Sequence, residues 1–139
     1  MENLKFENYI KEKGVPFPKI ESLDLVEQKD ILHSLSDLIK FSFNYDKLFD
    51  EISNKLFNMD FDEEFTYDIH SIFKQFNLSY EENTFVIWSK NEIDKFKTNI
   101  LLDNWEYIWY GVGDEAIILY QKANKKILLI THYGRIFYL

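Results

Sequence analysis

The sequence predicts an α+β fold: a helical N-terminal half, residues 1–77, packed on one face of a C-terminal antiparallel β-meander of four to five strands. Three observations predict it. Apolar residues in the first half recur at intervals of three and four. β-branched and aromatic runs dominate the last third. The connectors between those runs are short, which suits antiparallel neighbours, because parallel strands need long crossovers. The 139 residues are expected to form one domain, 1–139, long enough to bury a core. Thirteen Phe, nine Tyr and three Trp supply bulk to that core, and the 46% hydrophobic content argues against disorder.

Taken in order, Leu4, Phe6, Tyr9 and Ile10 mark an apolar stripe and predict a helix over 2–13. Gly14 ends it, since glycine tolerates the left-handed C-cap. Pro16 and Pro18 force an extended connector. Val26, Ile31, Leu35, Leu38 and Ile39 predict a second helix over 27–43, and Leu48, Phe49, Ile52, Leu56 and Phe57 a third over 46–57. Asp60, Asp62, Glu63 and Glu64 suit a helix start, where the macrodipole favours anions. Phe65, Ile69, Ile72, Phe73 and Phe76 carry that helix to about residue 77.

Residues 84–88 read as a strand. Ser89 and Glu92 have capping-box spacing, which predicts a helix running to residue 101. Four strand-like runs follow, at 105–110, 116–121, 126–132 and 135–139. Gly111 and Gly113 are read as hairpin glycines. Tyr133-Gly134 predicts a tight hairpin with glycine at positive φ.

Charge divides the chain. Residues 1–70 hold 16 Asp/Glu against 8 Lys, whereas residues 71–139 are balanced, so the whole net charge of −8 lies in the first half. Such a field repels nucleic acid and membrane surfaces and attracts basic partners. The absence of Cys removes disulfides, thiolate nucleophiles and Cys-ligated metals. The charged N-terminus is unlike a signal peptide, and no apolar run approaches the roughly 20 residues of a membrane helix, so a cytoplasmic location is expected. Fifteen of the sixteen basic residues are Lys and eleven residues are Asn, a bias typical of AT-rich bacterial or phage coding.

The motifs that could carry chemistry are incomplete. Asp60, Asp62 and Glu64 alternate like the start of a calcium loop, but the required Gly and bidentate Glu are replaced by Phe65 and Ser71. His33, His70 and His132 lack metal-ligand spacing: of the carboxylates near His70, Asp68 at i−2 points elsewhere on a helix, and Glu63 or Glu64 would complete only a weak two-ligand set. Gly111-Val112-Gly113 lacks the third glycine of a dinucleotide fingerprint and precedes a strand. Asp114, Glu115 and His132 could meet at neighbouring strand ends as an acid–base set. No metal and no cofactor is expected.

On a strand, Trp105, Tyr107 and Trp109 would share one face, and exposed Trp and Tyr are favoured as interface anchors. The stretch from Asp103 to Tyr110, with residues 114–120 and 127–138, resembles in style the small acidic immunity proteins of bacterial polymorphic and contact-dependent toxin systems. That resemblance implies a non-catalytic inhibitor covering the active site of a nuclease or other toxin. The expected partner is thus a basic protein, met by Asp60, Asp62, Glu63, Glu64 and Asp68 as the field and by Trp105, Trp109 and Tyr110 as anchors. Alternatives are a phage or mobile-element accessory protein binding a host defence protein or small ligand, and a small enzyme using Asp114, Glu115 and His132.

Overall fold

The computed structural model describes residues 1–42, 44–59, 68–132 and 134–139. Its elements in chain order are α1 (Asn3–Lys13), β1 (Glu21–Ser22), α2 (Leu25–Ile39), α3 (Leu48–Ser53), β2 (Phe57–Met59) and α4 (Ile69–Gln75). These are followed by β3 (Asn83–Ser89), β4 (Glu92–Lys97), α5 (Thr98–Asp103), α6 (Trp105–Ile108), β5 (Ala116–Gln121), β6 (Lys126–Thr131) and β7 (Ile136–Tyr138). The fold is α+β. Among the described residues its sheet has seven strands in the order β1-β4-β3-β5-β6-β7-β2, and every neighbouring pair is antiparallel.

Seven strands replace the four to five expected, because the N-terminal half contributes β1 and β2 to the two edges. Helices also cover both faces of the sheet, not one. Successive side chains on β5 point to opposite sides. Ile117 and Leu119 enter a core shared with Tyr9, Ile72, Phe73, Leu101 and Ile108 of α1, α4, α5 and α6. Ile118 and Tyr120 enter a second core with Ile31, Leu32, Leu35, Leu48 and Ile52 of α2 and α3. All six residues of β5 are buried, which is why Ala116–Tyr120 is a continuous apolar run instead of alternating.

Several helices are shorter than their apolar periodicity predicts. α2 begins at an Asp24 N-cap whose side chain accepts from the Glu27 backbone while Glu27 answers in kind. It stops at Ile39 because Lys40 turns left-handed at φ 54°. The 46–57 helix is a 3-10 turn (Tyr45–Lys47) and α3, after which Phe57 joins β2. The acidic helix start at 60–64 lies outside the described residues, and α4 begins only at Ile69.

Two assignments are overturned. Residues 92–97 form a strand, since Ser89 faces Glu92 across a tight hairpin and no helix begins there. Asp94 and Phe96 on one face and Ile93 on the other show the two-residue period. Residues 105–108 are helical where a strand was expected, with the Trp109 N–H donating to the Trp105 carbonyl at 2.9 Å.

At its ends the sheet is pinned by side chains. Gln121 Nε2 donates to the Ser79 carbonyl at 2.8 Å, and its Oε1 accepts from the Ser79 N–H at 2.9 Å, tying the α4–β3 connector to β5. No helix among the described residues is long and apolar enough to cross a membrane.

Candidate functional site

The described end of the acidic run is Asp68, the N-cap of α4. Its carboxylate accepts from the His70 backbone at 3.0 Å and from the Ser71 hydroxyl at 2.9 Å. The Ser71 hydrogen bond, ahead of the two backbone bonds, holds the Asp68 carboxyl below its usual range. From the same turn His70 reaches across to α5, with Nε2 3.9 Å from Asp103 Oδ1, and its ring stacks on Tyr80 at 6.2 Å. Asp60, Asp62, Glu63 and Glu64 lie outside the described residues.

Asp103 ends α5, and Trp105 opens α6 immediately after it. Four residues apart on a helix, Trp105 and Trp109 stack with ring centroids 6.4 Å apart and planes 27° from parallel. Both are half-buried against the core. The α4 start thus meets the end of α5 at Asp103, two residues before the stacked Trp pair begins. The two Trp share a face, as the strand reading also had it, although the backbone is helical. Tyr107 instead turns inward, 5.0 Å from the Tyr9 ring, and its burial, assisted by Glu12, raises its hydroxyl pKa.

Tyr110 has a structural post. Its backbone N–H donates to Asp114 Oδ2 at 2.9 Å, its hydroxyl accepts from Asn8 at 2.9 Å, and its ring lies 5.0 Å from Lys5 Nζ. Lys5 is 1% exposed. Its ammonium donates to both Asp114 oxygens at 2.9 and 2.8 Å and to the Ile108 carbonyl at 2.8 Å, and it sits 4.1 Å from the centroid of Trp88. On its other side, Trp88 donates its indole N–H to Asp94 at 3.0 Å. Asp94 is also paired with the Met1 α-ammonium and accepts from Ser22 at 2.8 Å. Every buried charge in this pair of networks is matched, as burial requires.

Sequence reasoning missed these networks. α1 buries Lys5 and Tyr9, with Met1 buried just ahead of it, while Leu4 and Ile10 are exposed. A lysine at a core-facing position was the available signal.

Asp114, Glu115 and His132 do not assemble into an acid–base set. Asp114 is committed to Lys5. His132 meets Glu115 through the backbone: its N–H and Nδ1 both lie 3.0 Å from the Glu115 carbonyl oxygen. His33 is on the surface, 3.5 Å from Asp37. Among the described residues no group of three or more His, Cys, Asp or Glu is placed to hold a metal.

Two clefts flank α3 and share Phe49, Asp50 and Glu115. One, of about 310 Å³, runs toward Trp88 and Lys90. The other, of about 270 Å³, runs toward His132 and Arg135. Compared with known proteins, the chain matches no family model, no curated protein and no solved structure.

Proposed function

We propose that this protein is a non-catalytic binding protein that captures a basic protein partner, in the manner of an immunity protein neutralising a toxin domain. One observation carries the reading: five carboxylates, Asp60, Asp62, Glu63, Glu64 and Asp68, stand in a stretch with no Lys or Arg between Lys55 and Lys74. A nuclease or other polyanion-binding toxin must be basic at its active surface, so a carboxylate-rich inhibitor is drawn to the same surface as the substrate. Electrostatic complementarity of this kind chiefly accelerates association and selects the partner. Aromatic anchors chiefly slow dissociation. The stacked Trp105 and Trp109, beside the Asp68–His70–Asp103 corner, supply such anchors.

The test is binding to purified basic nuclease domains of polymorphic toxins, followed by surface plasmon resonance at low and high salt. At least one such domain is expected to bind, with an association rate that falls steeply with ionic strength. Replacing Asp60, Asp62, Glu63 and Glu64 together by Lys should slow association by about tenfold or more, with thermal unfolding unchanged. Association and salt dependence indifferent to that change would refute the reading.

A further inference from the structure

We propose that the cleft between α3 and the β6–β7 hairpin is a binding site for a small zwitterion, namely an α-amino acid with an apolar side chain. Its floor is aromatic and aliphatic, built from Phe49, Ala116, Leu129 and Phe137. Its rim carries charge of both signs, with Asp50 and Glu115 against the chain's single arginine, Arg135. None of these three charged side chains forms an ion pair among the described residues. Opposite charges within one cleft ordinarily pair when they can reach each other. Held apart, they complement a ligand that brings both signs itself.

Arg135 is positioned for the carboxylate end. Its Nε donates to Asn58 Oδ1 at 3.2 Å, and its guanidinium carbon lies 5.5 Å from the Phe137 ring centroid. The side chain is therefore anchored at one nitrogen and on one face. Its two terminal amino groups have no acceptor among the described residues, and they present the planar fork that grips a carboxylate with two hydrogen bonds. Asp50 and Glu115 then take the ammonium, and the apolar floor takes the side chain. His132, held on the Glu115 carbonyl through both its backbone N–H and Nδ1, fixes the wall from which Glu115 projects. A volume of about 270 Å³ lies just under the range of drug-sized and cofactor pockets and suits a single amino acid.

This site does not depend on the partner reading, and its test does not use a partner. Backbone amide NMR of the intact protein is titrated with L-leucine and L-phenylalanine, and with N-acetyl-leucine and leucinamide, which each lack one of the two charges. The free amino acids are expected to give saturable shifts centred on residues 49–53, 115–116 and 131–137. Blocking either end of the ligand should weaken binding by about tenfold or more, as should Arg135→Gln or the pair Asp50→Asn with Glu115→Gln. These rim residues lie outside both cores, so spectra of the variants should keep native dispersion. The proposal is overturned by no saturable shift, by shifts centred elsewhere, or by blocked ligands binding as well as free ones.

Discussion

At the scale of single residues, Lys5 and Asp114 dominate. A lysine 1% exposed, bonded to a carboxylate that is itself 8% exposed, adds little net stability as a pair, because desolvation offsets attraction. Removing only one partner is different. Lys5→Met leaves Asp114 charged and buried, and is expected to cost about 3–5 kcal/mol. Adding Asp114→Leu should recover part of that loss, and urea midpoints of the three proteins measure it. Equal stability of single and double variants would contradict the coupling. Asp68 carries the pH prediction. Its folded pKa is lowered, first by Ser71, so its contribution is present above the ordinary carboxylate value and is lost as pH falls through the folded one. An NMR titration should find Asp68 below the ordinary aspartate value, and Ser71→Ala should move it upward.

At the scale of elements, what could be read depended on length and locality. α1, β3, β5, β6 and β7 were legible from their boundaries and composition: α1 ends at Gly14, and the strands are β-branched or aromatic runs set off by Gly134 or short polar turns. β4 was misread because Ser89 and Glu92, three apart, satisfy both a capping box and a tight hairpin. The real capping box lies at Asp24 and Glu27. Asp24→Ala should destabilise the protein by about 1 kcal/mol, measurable by thermal unfolding, whereas Ser89→Ala should change little, since Ser89 caps no helix. α6 was misread because Trp-Glu-Tyr-Ile-Trp-Tyr alternates like a strand while also placing Trp105 and Trp109 a helical turn apart. β1 and β2, two and three residues long, are too short to show any period, and only the sheet recruits them.

At the scale of the whole molecule, the charge split survives as a property of the chain, but the structure interleaves the two halves. β1 and α1, from the acidic half, close on β4 and α6. Lys5 meets Asp114 across 109 positions of sequence, a separation no local pattern encodes. The same limit hid the zwitterion cleft, whose charges come from α3, the start of β5 and the turn before β7. The anchors Trp105 and Trp109 were legible as residue types, but their geometry was not.

Where the sheet stops has a consequence for the protein at high concentration. Strands as apolar as β5 and β6, lying side by side at the middle of a sheet, are the raw material of fibres, and what restrains them is the nature of the margins. One margin is Glu21–Ser22, exposed and cross-linked to Lys95 at 3.9 Å; the other is three residues centred on Asn58. Among the described residues neither offers a neighbouring molecule enough unpaired backbone to extend the ladder, so growth by strand addition there is starved of a template.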